Sequence, residues 1–394
     1  MKILLVNSLY HPNVVGGAER SVQILAEGLR EREVEPVVVS TAAETTQGAV
    51  NGVRVYYLKV PNLYWMRTAK EQPGYKKPFW HLIDSYNPLA VSVLGEVFDR
   101  EEPQVVHTNN LAGISAAAWK EAGRRNIPIV HTIRDHYLLC PRGLMYKHGR
   151  ICRRQCLDCR LLSVPRRRLS RSVSAAVGVS RFILEKHLSF GYFENARIRT
   201  HIYSSMSACG SVEKKPPRPG VIRFGYVGQL APAKGIEYLL ERMAGMTAPG
   251  VELHVFGRGF TDAYERYLMA RYGAENVTFM GYRRPEEIYG AVDVGIIPSL
   301  CDDAFPRILI EAYACGVPVI ATGRGGAPEM VEEGTTGFVF DPGKPGDLEK
   351  QMNRFVTDRG LASRMSVHCR AAAAEFRTDK TVDRYLEIYR RVIG

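Results

Sequence analysis

No apolar run in this chain approaches the ~20 residues needed to cross a bilayer as a helix. The opening MKILLVNSLY holds only four consecutive apolar residues, Ile3 to Val6, before Asn7. That is too short for the core of a secretory leader, so it reads as a buried first strand and the protein is expected in the cytoplasm. Internal repeats and low-complexity tracts are missing, and so is the G-x-G-x-x-G of a dinucleotide-binding turn. A charged content of 24% with 45% apolar residues excludes a disordered chain. What remains is a globular protein, and 394 residues exceed one ordinary core, so two domains are expected.

Acids are scarce beside bases, 41 against 53, and the resulting +12 is unevenly placed. From Arg142 to Arg171 there are ten Lys/Arg and one acid, Asp158. A basic surface implies an anionic partner such as nucleic acid, phospholipid headgroups or a phosphorylated substrate; a solvated basic face is the alternative. The same stretch gathers Cys140, Cys152, Cys156 and Cys159, half of the eight cysteines. Four thiolates could close a tetrahedral structural zinc site, although the spacing lacks two paired C-x2-C units; free or redox-active thiols are the other reading. Between Leu63 and Leu82, Trp65 and Trp80 alternate with Arg67, Lys70, Lys76 and Lys77. Aromatics among cations suit a membrane interface, a lipid-diphosphate acceptor or single-stranded nucleic acid, and packing on the first sheet is the competing reading.

Strands and helices alternate along the chain, which predicts α/β architecture with parallel sheets. Expected strands are Lys2–Asn7, Glu35–Ser40, Val53–Val60, Val105–Thr108 and Ile127–Thr132, with helices at Ala18–Arg30 and Ile114–Gly123. A second series begins at Ile222–Val227 and continues with helix Gly235–Met243 and strands Glu252–Phe256, Val277–Phe279 and Val292–Pro298. The Pro- and Lys-rich CGSVEKKPPRPG separates them. The expected domains are therefore 1–208 and 221–375, with a linker at 209–220 and a terminal helix in 376–394.

The chemistry concentrates between Val277 and Phe340. Asp303 lies on the loop after an apolar strand, and Glu311 follows inside the next helix with seven residues between them. About two helical turns separate such acids, so both can face one molecule bound beyond the strand ends. Gly16 and Gly17 precede the first helix, where backbone amides can approach a phosphate. Gly228, Lys234 and Gly235 stand at the corresponding place in the second series, in GQLAPAKG.

In this order these motifs resemble the retaining glycosyltransferases of family 4, which have the two-domain GT-B fold, two doubly wound Rossmann-like domains facing across a cleft. The resemblance implies a nucleotide-sugar donor, UDP- or GDP-linked, and no catalytic metal or other cofactor. The acceptor would be a glycan, a lipid-linked or a small molecule at the cytoplasmic membrane face, and nucleic acid is not an expected partner. Gly16 and Gly17 would close over the donor diphosphate, and Lys234 would stabilise the leaving group with help from Gly228 and Gly235. Gln229 stands where the family has Arg, which leaves Arg258 and Arg307 as candidate replacement cations. Asp303 replaces the first Glu of the family's pair and would meet sugar hydroxyls; Glu311 would hold the ribose. Pro306 has no N–H, so the amides of Phe305, Arg307, Ile308 and Leu309 would cradle the donor. Tyr282 falls where the family meets the base. Arg134 stands in place of a His that points at the donor sugar, and it cannot serve as a base. Asp135 beside it would pair with Arg134 or touch the acceptor; Glu19 is the other internal partner for Arg134. Trp65, Lys76, Lys77 and Trp80 would lie on the acceptor or membrane side. In the family the terminal helix crosses back to the first domain. Two other readings stay open: a GT-B nucleotide-sugar epimerase, or an inactive module that binds anionic glycans or nucleic acid.

Overall fold

The computed structural model describes residues 1–206, 218, 220–246 and 248–394; of the expected linker at 209–220, only 218 and 220 fall among them. Met1–Met145, Cys152–Ser205 and Thr378–Gly394 form one compact unit, and Tyr146–Ile151 with Met206–Arg377 form another.

The first unit is built on strands β1 (Lys2–Val6), β2 (Glu35–Thr41), β3 (Thr46–Val50), β4 (Val53–Leu58), β5 (Val105–Thr108) and β6 (Ile129–Ile133). Next in the chain comes a two-stranded hairpin that belongs to the second unit, β7 (Tyr146–Lys147) and β8 (Arg150–Ile151), and the first unit resumes with β9 (Ala175–Gly178) and β10 (Ile198–His201). The sheet order is β10-β9-β6-β5-β1-β2-β4-β3, and every pair is parallel except β3 with β4. Buried on both faces, the central strands are almost continuously apolar, as in PVVV of β2. Chain order reverses at β1, whose neighbours are β2 and β5, so a crevice opens beyond its carboxyl end.

Helix Gly17–Arg30 buries Val22, Leu25, Ala26 and Leu29 at helical spacing. The same core takes Val382, Tyr385, Leu386 and Tyr389 from the final helix, Thr378–Ile393. A Cβ on Gly28 would come within 2.6 Å of Val382 Cγ2, so these two helices meet closely at a small residue. A buried polar chain fixes the contact. His107 Nδ1 lies 2.7 Å from Tyr389 Oη and its Nε2 lies 2.7 Å from Thr132 Oγ1, which is 2.9 Å from Tyr385 Oη. Burial drives the pKa of His107 down to about 3, so the ring is neutral in the fold.

The second unit carries β11 (Ile222–Val227), β12 (Val251–Phe256), β13 (Val277–Gly281), β14 (Val294–Ile297), β15 (Val319–Thr322) and β16 (Gly337–Phe340). All are parallel in the order β13-β12-β11-β14-β15-β16. Here the order reverses at β11, with β12 on one side and β14 on the other. Among the described residues, no helix is long and apolar enough to cross a membrane.

Candidate functional site

In the second unit, three loops converge beyond the carboxyl ends of β11, β14 and β15. After β11 the chain makes a short 3-10 turn, Pro232–Lys234, and enters helix Ile236–Ala244 through Gly235. Gly235 has φ +73° and a Cβ there would sit 1.9 Å from Pro298 O, so only glycine lets this turn close on the end of β14. The β14 loop is stitched to the same turn, since Leu300 N and Cys301 N donate to Ala233 O at 2.9 and 3.1 Å. These contacts place the Lys234 ammonium 2.5 Å from Asp303 Oδ2. The carboxylate raises the Lys234 pKa, so the lysine stays charged despite partial burial. The third loop supports Asp303 from below: Gly326 N donates to Asp303 O at 2.8 Å, and at Gly325 (φ +65°) a Cβ would come within 2.2 Å of that oxygen.

Helix Arg307–Ala314 starts just after this cluster. Glu311 lies about one turn into it, and Tyr289 Oη stands 3.5 Å from its carboxylate while donating to Ile308 O at 3.0 Å. The Leu309 amide donates to Pro306 O at 3.0 Å, and its side chain is buried. Its expected part in cradling a donor is therefore corrected: the first turn tightens locally and uses that N–H. Phe305 is buried against Phe376, ring to ring at 6.3 Å. Gln229 and Arg258 are exposed, and Tyr282 is 63% exposed. Sequence reasoning missed Arg324, which donates to the Leu300 carbonyl in the β14 loop. It also missed Tyr146 of the hairpin, whose phenol is raised by burial and feels the charges of Cys301 and Arg324. The glycine-rich GRGG after β15 was the available signal for Arg324; nothing local marks Tyr146.

In the first unit, Gly16 is the N-terminal cap residue of helix Gly17–Arg30, but its N–H donates to Glu19 Oε2 at 2.8 Å. A side-chain carboxylate thus occupies one amide that the sequence assigned to phosphate, which corrects the expectation for Gly16. Gly17 is the first helical residue.

Arg134 follows β6 directly. Its Nε donates to Asn109 Oδ1 at 2.9 Å and an Nη to Ser204 Oγ at 3.4 Å. Burial lowers its pKa. Neither of the internal partners considered for it, Asp135 and Glu19, hydrogen-bonds to it. Asp135 instead accepts from Tyr137 N at 2.7 Å, and burial raises its pKa to about 6. Among the described residues, Arg134 has neutral hydrogen-bond acceptors and no ion pair, while the Glu19 and Asp135 carboxylates favour its charge from beyond hydrogen-bond distance.

The aromatic-basic segment divides. Trp80 is buried, stacks on Tyr64 at 5.7 Å and donates to Tyr64 O at 2.9 Å. Its assignment to an acceptor or membrane face is therefore corrected, because burial of the indole body outweighs the surface role. Trp65 remains part-exposed beneath Arg67, donating to Thr41 Oγ1 at 3.0 Å. Lys76 and Lys77 begin helix Lys76–Ser85, which packs beside helix Leu157–Leu169. Each helix turns an apolar stripe to solvent at i, i+4, i+7: Tyr75, Phe79 and Leu82 on one, Leu157, Leu161 and Val164 on the other. Lys77, Arg153, Arg160, Arg167 and Arg168 are exposed around them.

Comparison with known proteins follows this division. Residues 16–202 match the model for a glycosyl transferase 4-like domain, and residues 211–372 match glycosyl transferases group 1. An uncharacterized 42.6 kDa protein in the cps region of Klebsiella pneumoniae is 32% identical over 333 residues, covering 84% of this chain and 87% of that one. D-inositol 3-phosphate glycosyltransferase of Corynebacterium jeikeium is 31% identical over 179 residues, 42% of each chain. Among solved structures, sucrose-phosphate synthase from Thermosynechococcus elongatus aligns with a TM-score of 0.76 at 19% identity, over 99% of this chain and 98% of that one. An Anabaena protein crystallised with UDP aligns at 0.72 and 21% identity, over 99% and 100%. With both halves matched in order and a relative similar along most of its length, the chain belongs to the family-4 glycosyltransferases of GT-B fold.

Proposed function

We propose that this glycosyltransferase draws its sugar from a nucleoside-diphosphate donor and transfers it with retention of anomeric configuration. The observation that carries this reading is the Lys234–Asp303 pair, held by three loops at the point where chain order reverses in the second sheet. As the glycosidic bond breaks, negative charge grows on the departing diphosphate, and Lys234 is a fixed cation that can offset it. Asp303 then turns its acceptor oxygens to the sugar hydroxyls, and Glu311 accepts from the ribose. No side chain is assigned as nucleophile; the leaving phosphate oxygen takes the acceptor's proton on the same face. The second unit thus binds the nucleotide sugar and the first presents the acceptor. A uridine nucleotide is favoured, because Anabaena neighbours were solved with UDP and with UDP-glucose.

The Arg134 guanidinium supports a finer reading of the donor. Family resemblance puts this position beside the donor sugar, and a part-buried guanidinium that no protein carboxylate hydrogen-bonds fits a sugar acid in two parallel hydrogen bonds. A UDP-linked uronic acid is the donor proposed. For the acceptor, the two exposed apolar stripes ringed by arginine support docking on an anionic bilayer and a lipid-linked glycan. The cps-region relative fits the same setting, assembly of a surface polysaccharide.

The test is a panel of nucleotide sugars scored by thermal shift and by transfer, with the anomeric configuration of the product read by NMR. UDP-uronic acids are expected to stabilise most and to give a retained product. An inverted product would end the retaining reading. Preference for UDP-glucose, unchanged in Arg134→His, would end the uronic acid reading.

A further inference from the structure

Cys140 and Cys159 are nineteen positions apart, yet the fold makes them neighbours. Cys140 closes a tight turn: its N–H donates to His136 O and its carbonyl accepts from Gly143 N, both at 2.8 Å. Cys159 lies in the first turn of helix Leu157–Leu169. Both are buried, and their Sγ atoms are 3.7 Å apart. Cys156 is the residue that caps this helix, and its Sγ, the Cys159 Sγ and an Asp158 carboxylate oxygen all lie within 4.8 Å of one another. Cys159 is therefore the hub of two overlapping groups of metal-ligating atoms.

At 3.7 Å Cys159 donates a thiol hydrogen bond to Cys140, and the same separation suits some fates of the pair and not others. A disulfide needs sulfurs about 2.05 Å apart. Two thiolates on one tetrahedral zinc, at about 2.3 Å from the metal, lie about 3.8 Å apart. A four-iron cluster gives each thiolate its own iron and so spreads the sulfurs further. The surroundings also suit a site rich in negative charge. The helix N-terminus presents its positive end to Cys156 and Cys159, and Arg142 reaches Asp158 at 3.5 Å. Gln155 donates to Leu139 O at 2.7 Å and Ser163 Oγ at 3.0 Å, which ties the Cys140 turn to the helix.

We propose that Cys140 and Cys159 bind a single structural zinc ion, completed by Cys156 and Asp158. The ion would staple the base of the excursion that carries the β7–β8 hairpin.

The test begins with the wild-type chain purified without chelator. One zinc per chain by elemental analysis is expected, and replacement by cobalt(II) should give the intense sulfur-to-cobalt charge-transfer band of tetrahedral thiolate ligation. Chelation should expose thiols to a thiol reagent and lower Tm. Cys140→Ser and Cys159→Ser should each lose the metal, and their Tm should not respond to chelator. The proposal is overturned if zinc neither co-purifies nor binds when added, if the metal is iron with cluster absorbance, or if peptide mapping finds Cys140 linked to Cys159. These wild-type measurements stand even if a serine variant fails to fold.

Discussion

Lys234 and Asp303 are sixty-nine positions apart in sequence and form a 2.5 Å ion pair. The contact joins the loop after β11 to the loop after β14, so the cation that would meet a diphosphate already has a carboxylate partner. On the reading proposed above, a diphosphate would compete with Asp303 for Lys234 and free the carboxylate to accept from sugar hydroxyls, so that donor binding and release of Asp303 would be one event.

Lys234→Ala should lower turnover on the order of 100-fold or more, the scale of removing a preorganised charge from a transition state. Gln229→Ala, at an exposed position that offers only an amide, should cost far less. Steady-state kinetics with the best donor would check both, and near-normal turnover of Lys234→Ala would displace the diphosphate from this turn.

Gly235 and Gly281 separate two costs of left-handed backbone. Both have positive φ, but a Cβ at Gly281 meets nothing within 4 Å, whereas one at Gly235 would lie 1.9 Å from Pro298 O. Gly281→Ala should lose only the conformational cost, about 1–2 kcal/mol. Gly235→Ala should lose at least twice that, measured by denaturant unfolding. Equal losses would mean that the turn relaxes away from β14.

Acidification should destabilise the fold. Burial holds His107 and His187 at about 3 and His81 at about 4, so each is neutral when folded and takes up a proton on unfolding below its ordinary value. Asp84 and Asp135, raised by burial to about 6, have the opposite sign: folded, they hold their protons more tightly, which adds stability on acidification. His131, held well below its ordinary value by burial, acts in the same sense as the other three, so four histidines oppose two aspartates. From pH of about 7 downward the histidines outweigh the aspartates and Tm should fall. Scanning calorimetry across this range checks the sign; a Tm that rises on acidification contradicts the burial of these histidines.

The paired stripes should mediate membrane binding. Leu157→Glu with Leu161→Glu should abolish sedimentation with anionic vesicles while leaving Tm near the parent value, because both side chains are exposed. Arg167→Gln with Arg168→Gln should weaken binding and flatten its salt dependence. Binding to neutral and anionic vesicles alike would remove the electrostatic part.

Continuous apolar runs were legible from sequence: β1, β2, β5 and β11 lie within a residue or two of their expected spans. Edge and surface elements were not. β3, TQGAV, has neither alternation nor a run, and it exists because β4 offers it an antiparallel partner. Helix Leu157–Leu169 was hidden inside a cysteine- and arginine-rich stretch and holds Pro165. The helix expected from Ile114 starts at Ala117, since Ser115 adopts positive φ just before it. The acids and the lysine of the site could be singled out by type and spacing, but their pairing depends on loops from three separate strands. Likewise, that Glu19 would occupy the Gly16 amide and that Trp80 would be core are outcomes of packing, which spacing does not encode.

Because the helix Thr378–Ile393 completes the core of the first unit, the order of synthesis is inverted with respect to the order of folding. On the ribosome, Val22, Leu25 and Leu29 emerge early but find Val382, Tyr385 and Tyr389 only when translation is nearly over. At about 5–20 residues per second, the roughly 350 intervening residues take about 20 to 70 seconds to make. Throughout that interval the first unit has an open apolar seam, whereas the second unit has every strand of its sheet once Phe340 has been made. A chain stopped before residue 378 would leave that seam of the first unit's core uncovered, and is expected to aggregate rather than to act as a shorter enzyme.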